Sequence, residues 1–290
     1  EGYLGLDLLR SAPRPDTGER GRAVESFGAP GTFDYSRVLL AVPSDAPPFR
    51  SEAGARARFL AFVADFVRYL GLRTGGRLLV LFTANDDLRR AAAAAGPDLA
   101  AAGIPLLWQG MEGEGKEGLA ERFRESDDAV LMGLDTFWFG VDFPGAAVEY
   151  LVIVKLPYGR LDRYFWAQQA ALGEAEHRRR IYLPRALGMF RQGFGRLMRT
   201  REDRGAVFVL DRRLLEGRGR AFLRELPGLG PDADGPGPRI VATSAETCAR
   251  EAFAHMDLLG ELERRGLPLA FPPRPAGLPP PSPRVSSRDP

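Results

Sequence analysis

Residues 77–134 read RLLVLFTANDDLRRAAAAAGPDLAAAGIPLLWQGMEGEGKEGLAERFRESDDAVLMGL. Three short apolar runs, Arg77–Phe82, Ile104–Trp108 and Ala129–Leu134, alternate with two stretches of helical pattern, Asp86–Ala95 and Lys116–Glu125. Runs without polar alternation belong to strands buried on both faces, and helices between them supply the cover, so the order predicts a parallel sheet with helices on both sides. The pattern extends outward. Upstream, Arg37–Val42 (RVLLAV) is a strand, and from Ser51 to Leu70 the residues Phe59, Phe62, Val63, Phe66, Val67 and Leu70 recur at helical spacing. Downstream, Val148–Leu156 and Ala206–Leu210 read as strands, and Pro184–Arg199 and Leu214–Leu226 as helices.

The flanks carry less pattern. Residues 1–32 form an irregular lead-in, and Pro227–Pro238 is a Gly/Pro/Asp-rich linker. Ile240-Val241 adds a short strand. Thr243-Ser244-Ala245-Glu246 fits a capping box, and the helix behind it sets Phe253, Met256, Leu259 and Leu262 along one side as a core stripe. Residues 267–290 are Pro-rich and are expected to be disordered. The domain boundaries that follow are a lobe over 33–226, a linker over 227–238, a small appendage over 239–266 and a tail over 267–290.

Composition narrows the function. Of 290 residues, 44% are hydrophobic, enough for a large core, and the net charge is only +2. Lys116 and Lys155 are the only lysines, so nearly all positive charge is arginine, the side chain suited to bidentate phosphate contacts. Cys248 is alone, which excludes an internal disulfide and an iron–sulfur or zinc-thiolate centre, and His177 and His255 lack ligand spacing, so no metal is expected. No apolar run of membrane-spanning length or signal peptide is visible. The chain begins at Glu1 without a methionine and reads as a fragment of a cytoplasmic protein.

The strongest constellation is Gln192-Gly193-Phe194-Gly195-Arg196-Leu197-Met198-Arg199, of the form Q-x-x-G-R-x-x-R. On one helix, Gln192, Arg196 and Arg199 share a face, with Gly195 leaving room for another backbone. Two arginines reaching outward together suit a transferring phosphate, and the alternative is a solvated basic face. A second segment, Gly133–Gly145 (GLDTFWFGVDFPG), follows a buried strand, where parallel sheets keep functional loops. It carries Asp142 beside Gly140 in a turn-rich stretch, and Phe137, Trp138 and Phe139 as core or lid aromatics. Thr83 ends a strand just before a helix, so its hydroxyl either binds a nucleic-acid phosphate or caps the helix. Gly110–Lys116 (GMEGEGK) imitates a phosphate loop, but Glu117 stands where Ser or Thr is needed, and Glu112 and Glu114 oppose an anion. An acidic connection is the simpler reading; a free-standing phosphotransferase using Lys116 is the rival.

Taken together and in order, these segments resemble the carboxy-terminal helicase lobe of the DinG/XPD family within superfamily 2. Thr32–Tyr35 (TFDY) resembles a short signature near the start of that lobe, Gly76–Asn85 (GRLLVLFTAN) its motif IV, and Val130–Gly145 (VLMGLDTFWFGVDFPG) its motif V. Gln192–Arg199, with Asp203-Arg204-Gly205 and Asp211–Leu214 behind it, resembles motif VI. The resemblance covers about residues 26–226. It implies a RecA-like fold and a second motor lobe of an ATP-dependent DNA helicase, whose ATP and magnesium are held mainly by a first lobe of the same protein. It implies that Arg196 and Arg199 are arginine fingers, that Gln192 and the Gly140–Asp142 segment couple nucleotide state to movement, and that Thr83 and Thr136 touch single-stranded DNA. Any iron–sulfur cluster would lie in the first lobe. One departure is Phe139, where the family usually has Glu; it favours the rival reading of a degenerate module that binds DNA or protein without hydrolysing ATP.

Overall fold

The computed structural model describes residues 33–50, 52–138, 148–159, 161–198, 200–230 and 235–271. The apolar runs become seven strands: β1 Val38–Pro43, β2 Leu78–Leu81, β3 Leu106–Trp108, β4 Val130–Gly133, β5 Tyr150–Ile153, β6 Gly205–Val209 and β7 Arg239–Thr243. They form one sheet in the order β3-β4-β2-β5-β6-β1-β7, with every pair parallel. The continuous apolar runs are explained by two cores. In β2, Leu78 and Val80 point into one and Leu79 and Leu81 into the other.

The helices divide between the two faces. Helix α1 (Ala53–Thr74) and helix α2 (Asn85–Ala101) follow β1 and β2 and pack Phe66, Val67, Leu88 and Ala95 into the first core. Helix α3 (Lys116–Glu125) follows β3, and the one-turn helix α4 (Asp135–Trp138) follows β4. Helices α5 (Arg163–Leu172), α6 (Glu174–His177) and α7 (Leu183–Phe194) follow β5, with a π turn over Arg178–Tyr182 joining the last two. Leu119, Phe123, Phe137, Trp138 and Phe190 fill the second core. Helix α8 (Arg220–Arg224) adds Phe222 to that side. Helices α9 (Ala245–His255) and α10 (Leu259–Arg264) return to the first core with Phe253 and Leu262. The sheet therefore changes the side of its covering helix between β4 and β2, between β2 and β5, and between β6 and β1. Such changes open crevices at the carboxyl ends of the strands.

Several expectations change. Helix α2 continues through Pro97 to Ala101, because Pro97 and Ala93 are both exposed and the lost hydrogen bond falls on the solvent side. The helix expected over Leu214–Leu226 is instead two 3-10 turns and the five-residue α8. Gly217 sits at φ +45°, and a side chain at Gly219 would strike the Arg213 carbonyl, so the chain cannot wind regularly there. The expected capping box shifts by one: Ser244, not Thr243, caps α9 by accepting from the Thr247 N–H, and Glu246 accepts from the Phe271 N–H instead. The stripe Phe253, Met256, Leu259, Leu262 packs inward, although the helix is broken at Asp257 (φ +57°). Residues 157–182, for which the sequence suggested no element, hold α5, α6 and the π turn.

The first residues expected in the tail are held in place. Residues 267–271 lie along α1: Tyr69 donates its hydroxyl to the Leu269 carbonyl at 2.6 Å, and Phe271 meets Phe62, Phe66 and Tyr69 at ring distances of 5.6, 5.7 and 5.3 Å. Residues 1–32 and 272–290 lie outside the described residues. Because Phe271 is only partly buried, Phe271→Ala should lower stability by about 2 kcal/mol, less than the roughly 3–5 kcal/mol of a fully buried phenylalanine. Chemical denaturation, read as a lower midpoint with little change in slope, checks this.

Candidate functional site

Among the described residues, Thr83, Thr136 and Arg196 lie at the carboxyl edge of the sheet, around Trp138. This side chain is fully buried, and its indole N–H donates to the Phe82 carbonyl at 2.9 Å, one residue beyond β2 and next to Thr83. Its own carbonyl accepts two hydrogen bonds from Arg196, at 3.1 Å from Nε and 2.8 Å from Nη2. Its ring lies against α7, where a side chain placed on Gly193 would come within 2.5 Å of it. One aromatic residue thus joins the end of β2, the short helix after β4 and the end of α7.

Helix α7 stops earlier than its periodicity suggests. It ends at Phe194 with Gly195 as its cap, and the chain then turns inward to bury Leu197 and Met198 beneath the sheet. Gln192 and Arg196 therefore do not share one helical face. Gln192 is exposed on α7, Arg196 is 5% exposed and folded into the lobe, and Arg199 lies outside the described residues. Arg196 does not reach outward here, because burial of its two apolar neighbours sets the direction of the turn. A guanidinium placed among apolar groups must keep its donors satisfied, and the Trp138 carbonyl is one acceptor that does so. The glycine that permits close approach is Gly193 rather than Gly195, whose added Cβ would stand 3.3 Å from the Arg191 carbonyl.

Two further expected site residues, Thr136 and Thr83, stand nearby. Thr136 lies on α4, two residues before Trp138, with its hydroxyl 3.3 Å from the Gln109 side-chain oxygen, which also accepts from the Leu134 N–H at 2.8 Å. Thr83 is half-buried and does not cap α2; the cap position is Ala84, which offers no side-chain bond. Gly140 and Asp142, with Phe139, lie outside the described residues, beginning one residue after Trp138. Tyr35, the last residue of the Thr32–Tyr35 signature, stacks on Phe194 with centroids 6.2 Å apart. Gly110–Lys116 joins β3 to α3. Glu114 is paired with Arg122, and Lys116 lies 3.4 Å from Glu117.

Two buried charge clusters had no local signal in the sequence. Asp87, in the first turn of α2, accepts from Lys155 Nζ at 2.6 Å and from Arg56 Nε at 2.7 Å, and Lys155 also lies 3.9 Å from the centre of the Phe49 ring. The hydrogen bond to Asp87 raises the pKa of Arg56. Asp211 accepts from the Leu156 N–H at 3.1 Å and from Arg213 Nε at 2.8 Å, and that pairing raises the pKa of Arg213. Both clusters grip the segment just after β5. Burial raises the pKa values of Tyr158 and Tyr182, keeping both neutral across the physiological range.

Comparison with known proteins places this geometry. The sequence profile of the helicase C-terminal domain matches residues 67–228. The chain is 38% identical over 200 residues to the 3'-5' exonuclease DinG of Bacillus subtilis (strain 168), covering 67% of this chain and 21% of that protein. It is 31% identical over 208 residues to the ATP-dependent DNA helicase YoaA of Escherichia coli (strain K12), covering 70% and 31%. Two solved structures titled XPD_Helicase and XPD_APO both superpose with a TM-score of 0.50 at 17% and 18% identity, covering 71% and 73% of this chain and 35% and 40% of theirs. The chain thus spans about a fifth to a third of the length of these curated relatives.

The geometry around Trp138 makes an ordered expectation. Gly193→Ala should cost about 1–3 kcal/mol through overpacking against the ring, despite alanine's better helix propensity. Gly195→Ala should cost under about 1 kcal/mol, since its neighbour need yield only slightly. Denaturation curves of the two variants, giving the reverse order, would remove Gly193 from the packing role.

Proposed function

The chain belongs to the helicase C-terminal domain family, and from that premise we propose that it acts as the second motor lobe of an ATP-dependent DNA helicase, working with a first lobe that holds most of the ATP and magnesium. The observation that supports this reading best is the bond between the Q-x-x-G-R-x-x-R segment and the Gly133–Gly145 segment, made by Arg196 on the Trp138 carbonyl. It connects the arginine proposed as a finger to the residue immediately before the loop proposed to couple nucleotide state to movement.

In this proposal ATP supplies the free energy for lobe closure, and the residues of this chain supply charge and linkage. Arg199 and Arg196 provide positive charge at the face that meets the first lobe. Arg196 has to exchange the Trp138 carbonyl for its partner across that face, and a hydrogen bond to a charged group is worth about 1.5–3 kcal/mol, so the exchange is affordable only when the new partner is anionic. Releasing the Trp138 carbonyl frees the start of the loop that carries Gly140 and Asp142. The change reaches Thr136 through α4, and Thr83 through the indole bond to Phe82, and these two threonines are the proposed contacts to the DNA backbone. Gln192, exposed on α7, is placed to report the same event on the outer face.

A second reading is supported by Phe139 and by the inward fold of Arg196: a module that binds DNA or a protein partner without hydrolysing ATP. Both readings are tested by Arg196→Ala and Arg196→Lys in the two-lobe protein. For the motor, Arg196→Ala lowers DNA-stimulated ATP hydrolysis about 10³-fold or more. Arg196→Lys, which keeps a donor for the Trp138 carbonyl, restores thermal stability but not turnover. ATP hydrolysis unchanged by Arg196→Ala would exclude the finger role.

A further inference from the structure

The large apolar side chains left open to solvent are not scattered. Among the described residues, Leu161, Tyr164, Trp166 and Leu172 are exposed within one twelve-residue stretch, and only Ile240 is exposed elsewhere. Tyr164 is 66% and Trp166 54% exposed, on a helix whose other side is anchored. The anchor is aromatic. Phe165 sets its ring edge-on to His177 at 4.8 Å and to Tyr182 at 5.1 Å, and Tyr182 stacks on Tyr158 at 5.9 Å with 19° between planes. Tyr164 and Trp166, two positions apart, flank that anchor on opposite sides, and Trp166 meets Phe165 edge-on at 5.0 Å, so it is Tyr164 that presents a ring face open to a flat ligand.

A cleft opens beside that face. It has a volume of about 160 Å³ and lies between Thr83, two residues beyond β2, and Tyr158, beyond β5. Strands β2 and β5 are hydrogen-bonded neighbours whose following helices cover opposite faces of the sheet, so this is one of the crevices the topology creates for ligands. The chain leading into Pro157 and Tyr158, which line the cleft, is fixed just before them: Lys155 by the buried Asp87 carboxylate, and Leu156 by Asp211. Its walls mix ring faces with polar groups, with Tyr164 and Phe165 beside Gln168 and Arg185. Arg185 is exposed and makes no ion pair among the described residues, and the same holds for Arg163. Arg179 and Arg180, by contrast, are engaged by Glu176.

We propose that this cleft is a base-stacking site for single-stranded DNA: one unpaired base lies against Tyr164 above the aromatic floor, and the adjoining phosphate is held by Arg185 with the Thr83 hydroxyl. Aromatic faces accept any base, the amide of Gln168 meets a base edge, and an unpaired guanidinium suits a phosphate, a combination that a purely apolar protein-docking face would not offer. The inference rests on the DNA-track reading above and adds to it a contact to the base itself. It makes this lobe sensitive to whether a strand carries bases, and not only to its charge.

The test is binding of the full chain to a labelled twelve-nucleotide thymidine strand and to an abasic strand of the same length, by fluorescence anisotropy. Tyr164→Ala, an exposed substitution, should weaken binding of the thymidine strand about tenfold and leave the abasic strand unchanged. Tyr164→Phe should bind like the parent. Arg185→Ala should weaken both strands and reduce the salt dependence by about one phosphate contact. If Tyr164→Ala binds the thymidine strand as tightly as the parent while Thr83→Ala does not, the base site is overturned and the DNA track stands. Unchanged DNA binding together with lost ATP hydrolysis in the two-lobe protein would overturn it in favour of a surface between lobes. Failure of the parent chain to bind either strand would overturn both.

Discussion

A buried guanidinium needs acceptors, and in this lobe the main-chain carbonyl of Trp138 is one that takes two of its bonds. Arg196 lies among apolar groups because Leu197 and Met198 draw the chain inward after α7. Once there, its N–H groups either bond to the protein or cost several kcal/mol of lost hydration. The Trp138 carbonyl satisfies two of them, the Trp138 indole then reaches the Phe82 carbonyl, and Gly193 lets the ring close against α7. Three elements from distant parts of the sequence are held in register by one residue, two positions before Gly140 in the sequence.

The sheet order explains why the chemistry collects on one edge. With the helices after β2 and β5 on opposite faces, the carboxyl ends of these neighbouring strands are left uncovered. An open edge would be loose without ties, and the buried Asp87–Lys155 pair and the Asp211–Leu156 bond supply them. Removing one partner of a buried pair costs about 3–5 kcal/mol, so these ties specify the edge even if, taken whole, they add little to stability. The scaffold is rigid beneath the cleft, and exposed aromatic and arginine side chains stand around its mouth.

Much of this was legible in the residue order. Continuous runs such as RLLVLF and AVFVL can only be satisfied by strands buried on both faces, so the parallel sheet and its alternation with helices followed directly. The identity of the lobe followed from four motifs in register. What the sequence did not reveal depended on contacts across long separations. Asp87 and Lys155 are 68 positions apart, and neither carries a local sign of its partner. Periodicity extended α7 to Arg199, but the burial of Leu197 and Met198 overrode it. Residues 157–182 went unread because their helices expose rings and arginines and bury few side chains, leaving no apolar stripe to detect. The Pro-rich stretch after Gly266 hid Phe271, whose ring, with hydrogen bonds from Tyr69 and Arg73 to the Leu269 and Pro268 carbonyls, fastens residues 267–271 to α1.

The bond between Arg196 and Trp138 is open to direct measurement by NMR on arginine side chains. In the isolated lobe, the Arg196 Nε proton should exchange with water far more slowly than those of exposed arginines such as Arg185, and should show a through-bond coupling to the carbonyl carbon of Trp138. An Arg196 Nε proton that exchanges as fast as that of Arg185, with no coupling to Trp138, would contradict the linkage on which the site is built.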